Sequence, residues 1–111
     1  MASNDFFFVR SGGTAQKIMV DSIVYIESLR NYSKIYSSNA EVMTLTSMRD
    51  LEGFLPKDKF MRIHKSYIVS LDRIQKMGGH MVYLDKDLFF PIGETFRKDV
   101  NSFISKYSIG N

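Results

Sequence analysis

Phe60-Met61-Arg62-Ile63-His64-Lys65-Ser66-Tyr67-Ile68-Val69-Ser70 decides how this chain folds. Its first half alternates. Met61 and Ile63 fall on one side and Arg62 and His64 on the other, the period of two that a strand requires. Lys65-Ser66 interrupts the pattern, and Tyr67-Ile68-Val69 resumes it as a short apolar run. Two strands joined at a polar corner are expected, with Lys65 at the exposed apex. Corners of this kind present side chains to a partner while the flanking strands hold them still.

Outward from the corner, the chain reads as further short strands separated by turn residues. Phe6-Phe7-Phe8-Val9 is strand-like, Gly12-Gly13 supplies a turn, and Lys17-Ile18-Met19-Val20 is the expected hairpin partner. Ile23-Val24-Tyr25-Ile26 is apolar on both faces and is expected to be the most buried strand. A polar segment, Arg30-Asn31-Tyr32-Ser33-Lys34, leads into Ile35-Tyr36; Ser38-Asn39 marks a turn and Val42 to Leu45 another strand. Ser47-Met48-Arg49-Asp50 has the layout of a capping box with Asp in the place of Glu or Gln. Met48, Leu51 and Leu55 then line one face of a short helix that Pro56 stops.

Beyond the corner, Asp72 to Met77 turns at Gly78-Gly79 into Met81 to Leu84, and Asp85-Lys86-Asp87 turns that strand into Leu88-Phe89-Phe90. Pro91 and Gly93 are expected to end extended structure. Phe96, Val100, Phe103, Ile104 and Tyr107 recur at helical spacing and predict a C-terminal amphipathic helix with a complete apolar stripe. Arg97 and Lys98 fall in its first turn. Cations beside unpaired backbone N–H groups there make a phosphate-binding corner. The fold class that follows is a mostly β domain of antiparallel strands with one short internal helix and one C-terminal helix.

At 111 residues the chain suits one domain and one core, residues 1–111, with a polar tail over about 1–5. No apolar run approaches the roughly 18 residues of a membrane span, and Met1 to Asp5 lacks the layout of a signal peptide, so no membrane partner is expected. The absence of cysteine excludes a disulfide framework and thiolate chemistry and fits a reducing, cytoplasmic setting. Net charge is +3, but it is unevenly placed. Lys57, Lys59, Arg62, Lys65, Arg73 and Lys76 face only Asp58 and Asp72, so that segment carries +4 and the remainder −1. A basic patch on a near-neutral body suggests a local anionic partner.

Enzyme chemistry finds no constellation, and no catalytic residue, metal site or cofactor is assigned. His64 and Ser66 could share a strand face, but two residues along a strand span roughly 6–7 Å, against the roughly 3 Å that a nucleophile and its base require. His64 and His80 are the only histidines for a metal, and the glycine pairs are turns, not a phosphate loop. Nucleic acid is the better candidate. Most aromatics sit in apolar runs that read as core, so stacking on single strands is less well supported than duplex recognition by polar and basic loops. Arg30 to Lys34, Lys65-Ser66 and Glu94 to Lys98 are three such loops. The alternative is a β-rich protein-interaction module whose basic patch meets an acidic partner.

The segment FMRIHKSYIVSLDRI resembles the signature of the LytTR DNA-binding domain, the output module of many bacterial response regulators. That signature runs Phe, any residue, Arg, any residue, His, a basic residue or Asn, Ser, an aromatic, two aliphatics and Asn. Phe60, Arg62, His64, Lys65, Ser66, Tyr67, Ile68 and Val69 all fit it. DSIVYIESLRNYSKIY and FPIGETFRKDVNSF resemble the family's first and closing segments, and the likeness extends from about Phe8 to Ile104.

The resemblance implies small antiparallel sheets packed side by side into an elongated body, with loops that enter successive grooves of duplex DNA. It places the first contact loop at Asn31 through Lys34, with Ser33 and Lys34 contacting and Arg30 and Asn31 adding hydrogen bonds. The second is Lys65, with Arg62 and Ser66 as helpers. The third is Glu94 and Thr95, followed by Arg97 and Lys98. Two positions depart from the family: Ser70 stands where the signature ends in Asn, and Gly93-Glu94 where many members have Ser-Arg. Glu94 could accept from a cytosine amino group but repels phosphate. The resemblance also implies a receiver domain in the full-length protein, two-component signalling, and pairing of copies on DNA, as a dimer or on paired sites.

Overall fold

The computed structural model describes residues 5–85 and 87–110, which leaves most of the expected N-terminal tail, and Lys86 in the Asp85–Asp87 turn, outside the described residues. Along the chain lie β1 (Phe6–Ser11), β2 (Thr14–Met19), β3 (Ile23–Leu29), β4 (Tyr32–Ser37), β5 (Glu41–Thr44), α1 (Met48–Phe54), β6 (Phe60–His64), β7 (Tyr67–Ser70), β8 (Ile74–Gly78), β9 (Met81–Leu84), β10 (Phe89–Pro91) and α2 (Arg97–Lys106). Single 3-10 turns at Val20–Ser22, Leu71–Arg73 and Glu94–Phe96 reverse the chain between them. All described pairing is antiparallel, in three small sheets: the β1-β2 hairpin, a five-stranded sheet in the order β5-β4-β3-β7-β6, and a three-stranded sheet in the order β10-β9-β8.

β3 is the centre of the larger sheet because its apolar residues serve both faces. Ile23 and Ile26 are buried on one side with Ile35, Val42, Phe60 and Ile68, against Phe7, Val9 and Ile18 of the hairpin and Met48, Leu51 and Leu55 of α1. Tyr25 faces the other way with Met61, Ile63, Tyr67 and Val69, against Val82, Leu84 and Phe90 of the smaller sheet and Val100 of α2. The sheet is therefore covered on both faces, and the body extends 50 × 32 × 25 Å. The alternation read in Phe60–His64 is what lets one strand serve two cores: Phe60 belongs to the first and Ile63 to the second.

The cap on α1 is the one the capping-box pattern predicts, Ser47 Oγ accepting from Asp50 N–H at 3.0 Å. Three expectations change. β4 starts at Tyr32, so the polar segment Arg30–Lys34 is a two-residue turn followed by strand. The single core expected from the length is two cores, one on each face of the five-stranded sheet, whereas Pro91 closes the edge strand β10 as expected. The α2 stripe is incomplete as a packed face. Val100 is buried at 1% exposure, but Ile104 and Tyr107 are exposed at 37% and 67%, and Phe103 leans on Tyr107, the residue that caps the helix, with ring centres 5.0 Å apart. The helix is anchored in the second core through its first turns, and its end projects beyond it. No helix among the described residues is long and apolar enough to cross a membrane.

Candidate nucleic-acid interface

The corner at Lys65-Ser66 is built from its own neighbours. Register between β6 and β7 pairs Arg62 with Ile68 and His64 with Tyr67, so an extra residue, the fully buried Ile63, is accommodated between them. This bulge bends β6 at the corner. His64 Nδ1 accepts from Ser66 N–H at 3.0 Å, which puts the proton of a neutral ring on Nε2. Arg62 donates from Nη2 to Lys65 O at 2.6 Å and from Nε to His64 O at 3.3 Å. Ser66 O accepts from Ser28 N–H of β3 at 2.9 Å. With these backbone groups bonded inward, the Lys65 side chain is left exposed at the apex.

Beside it lies the β3–β4 turn. β7 pairs with β3 so that Tyr67 stands opposite Glu27, which brings the start of β7 and the end of β3 to the same end of the sheet. Leu29 pairs with Tyr32 across a turn made of Arg30 and Asn31 alone. Arg30 takes φ = 54°, a left-handed conformation that costs a non-glycine residue on the order of 1 kcal/mol. Both residues are exposed. Adjacent strands lie about 4.8 Å apart, so the turn and the corner, two strands removed, are separated by roughly 10 Å.

The third segment is fastened to β6. Gly93 N–H donates to Ile63 O at 2.8 Å, and a Cβ on Gly93 would sit 3.2 Å from the Phe96 ring and 3.4 Å from His64 Cα and Cδ2. A side chain here would press on both, so Phe96 or His64 would have to yield by a few tenths of an ångström. Glu94 and Thr95 follow, exposed on the 3-10 turn. α2 then begins at Arg97 with Phe96 as N-cap and no side-chain cap, so its first N–H groups and the Arg97 and Lys98 side chains share one end of the helix. Lys98 is exposed; Arg97 is half-buried, and its Nε has no partner among the described residues.

The expected site residues therefore divide. Arg30, Asn31, Lys65, Ser66, Glu94, Thr95, Arg97 and Lys98 belong to three segments bonded to one another through Ser28–Ser66 and Ile63–Gly93. The expectation that Ser33 contacts DNA is corrected. It is 2% exposed, and its hydroxyl donates to Thr46 O at 2.7 Å, because its place in β4 points it inward. Lys34 points to the opposite face, paired with Glu41 at 3.1 Å and 5.0 Å from the Tyr36 ring. On that face the Tyr25 and Tyr36 rings stack at 4.2 Å; burial, then its tyrosine neighbour, pushes the Tyr25 phenol up, and burial, then its bond to Glu27, does the same for Tyr36.

Charge is distributed differently from the linear count. Lys59, Arg62 and Arg73, half of the cations in the basic segment, pair with Asp21, Glu52 and Asp85 from elsewhere in the chain. The cations that make no ion pair among the described residues include Arg30, Lys65, Arg97 and Lys98, one or two on each of the three segments. Sequence reasoning missed Ser28, Glu52 and Phe96, which hold the corner; no local pattern marks them, since each acts across the sheet or between elements. No cluster of three or more metal-ligating side chains occurs among the described residues.

Residues 14–105 match the model of the LytTr DNA-binding domain. The CO-responsive transcriptional regulator RcoM of Rhodospirillum rubrum is 28% identical over 64 residues, a stretch covering 58% of this chain and 27% of that regulator. The chain thus spans about a quarter of that relative's length. Among solved structures, the LytTr DNA-binding domain of a putative methyl-accepting/DNA response regulator from Bacillus cereus superposes with a TM-score of 0.77 over 90% of this chain and 96% of that one, at 16% identity.

Proposed function

From the premise that this chain belongs to the LytTr DNA-binding domain family, we propose that it binds duplex DNA sequence-specifically as the output domain of a bacterial transcription regulator. The observation that carries this reading is the set of three segments locked to one another at one end of the body, each bearing a cation without an acidic partner among the described residues. Lys65, Arg30, Arg97 and Lys98 neutralise phosphates; Asn31, Ser66 and Thr95 hydrogen-bond to backbone or base edges. Glu94, alone among them in carrying negative charge, faces a base edge in a groove, where cytosine offers it an amino donor. Spacing of roughly 10 Å between the turn and the corner, with the third segment bonded directly to β6, suits a rigid set of loops laid against a duplex whose major groove is about 12 Å wide.

A signal-receiving domain elsewhere in the full-length protein, and pairing of two copies on one operator, complete the proposal. The test is selection: the chain is mixed with a pool of random duplexes, the bound fraction is recovered over several rounds, and the survivors are sequenced. A recurring motif is the expected result. Binding that enriches no motif contradicts sequence-specific readout, and no duplex binding at low salt contradicts the whole reading.

A further inference from the structure

Arg62 is the expected contact residue whose surroundings differ most from that role. Its side chain is 18% exposed, and all three of its nitrogens bond within the protein: Nη1 to Glu52 Oε1 at 3.1 Å, Nη2 to Lys65 O at 2.6 Å, Nε to His64 O at 3.3 Å. Its guanidinium carbon lies 5.8 Å from the centre of the Phe96 ring, within cation–π range. One side chain therefore joins α1, the corner between β6 and β7, and the 3-10 turn that leads into α2. Two of the three proposed DNA-contacting segments meet at it.

We propose that Arg62 is a positioning residue for DNA binding, held in place by Glu52 of α1: neither touches DNA, yet both set how well Lys65 and the Glu94–Lys98 segment are presented. This rests on the DNA-binding reading of the preceding subsection. The chemistry requires arginine. A planar fork with five donors bonds two carbonyls and a carboxylate at once, whereas a lysine ammonium at the end of a flexible stem would reach one of them and leave the others unmet. A groove-reading surface tolerates displacements of only about 0.5 Å before contacts are lost. The two carbonyls that Arg62 holds, His64 O and Lys65 O, belong to the residues that aim the Lys65 side chain.

Glu52 makes the proposal testable by sign. It is an acid on a protein that binds a polyanion, so electrostatics alone predicts tighter binding when its charge is removed. Positioning predicts weaker binding, because the neutral side chain holds Arg62 less firmly.

The experiment compares the full chain with Arg62→Lys, Arg62→Ala and Glu52→Gln by fluorescence anisotropy on a duplex pool over a salt series, alongside amide hydrogen exchange without DNA. Arg62→Lys and Arg62→Ala are expected to weaken binding alike, by about tenfold, as loss of charge-assisted hydrogen bonds implies, with the salt slope unchanged. Glu52→Gln is expected to weaken it severalfold. Exchange of the Ser28 and Ser66 amides, which bond to and within the corner, is expected to accelerate in Arg62→Lys, while the Ile26 and Ile68 amides in the strands keep wild-type rates. Wild-type affinity for Arg62→Lys, a salt slope reduced by about 0.9 in Arg62→Ala as a lost phosphate contact would give, or tighter binding by Glu52→Gln would overturn the proposal. If the wild-type chain binds no duplex, the DNA reading fails by itself, and unchanged exchange at Ser28 and Ser66 then rejects the positioning role independently.

Discussion

The corner at Lys65-Ser66 and the turn at Arg30-Asn31 stand side by side at one end of the same sheet, yet they are built in opposite ways. The corner is made by side chains. His64 receives the Ser66 amide and Arg62 grips two carbonyls, with one backbone bond, Ser28 N–H to Ser66 O, tying the far side to β3. The turn is made by backbone alone: two residues bridge the paired Leu29 and Tyr32, and Arg30 bears a left-handed φ of 54° with no described side-chain bond to support it. A loop made by side chains needs particular residues at fixed spacings and leaves a motif in the sequence. A loop made by strand pairing leaves its apical residues free to vary.

The largest separation between the two regions is expected in DNA affinity. Lys65→Ala should weaken duplex binding about tenfold and lower the salt slope by about 0.9, with the thermal midpoint unchanged, since the exposed side chain supports nothing. Equilibrium titration beside a thermal melt checks both halves, and an unaltered affinity would remove the corner from the interface. Next comes Ser33→Ala, just inside the turn. Loss of the bond to Thr46 O should cost about 1 kcal/mol of stability and leave DNA affinity within twofold. Urea unfolding and titration distinguish this from a contact role, which would give the reverse pattern.

A smaller effect is expected from Arg30→Gly. Relief of the positive φ and the greater freedom of the unfolded chain nearly cancel, so stability should stay within about 0.5 kcal/mol of wild type while the salt slope falls. A large loss of stability would show that Arg30 supports the turn after all. Least of all, and only in alkaline solution, the face of β3 and β4 behind the turn should loosen. The Tyr25 and Tyr36 phenols titrate higher when folded than unfolded, so their stabilisation is intact below the ordinary tyrosine value of about 10 and is lost as pH rises beyond it. Tyr25→Phe should flatten the fall in urea midpoint over that range; an equally steep fall would assign it to other groups.

These contrasts also show what was legible beforehand. The two strands and the corner could be read because alternation is local: Met61 and Ile63 inward, Lys65 at the break, Tyr67 onward apolar. The three segments were legible through the family resemblance and their polar composition. Ser33 was not placed correctly, because whether Asn31 through Lys34 forms a long loop or a short turn depends on pairing with β5 and β3, and a one-residue change in register reverses every side chain. The resemblance makes Arg62 a helper of Lys65, and its bonding partner Glu52 lies on α1, a different element that no local pattern links to it. The same long-range pairing made the basic segment look more charged than it is.

The central claim is that the cations on three neighbouring segments bind a duplex together, and the salt dependence of binding tests it most directly. Four phosphate contacts at about 0.9 each predict a slope of about −3.6 in log affinity against log salt for the wild-type chain. In the combined variant Arg30→Ala, Lys65→Ala, Lys98→Ala only Arg97 remains, and the slope should shrink to about −0.9. A wild-type slope near zero, or a variant that keeps the wild-type slope, would contradict the account.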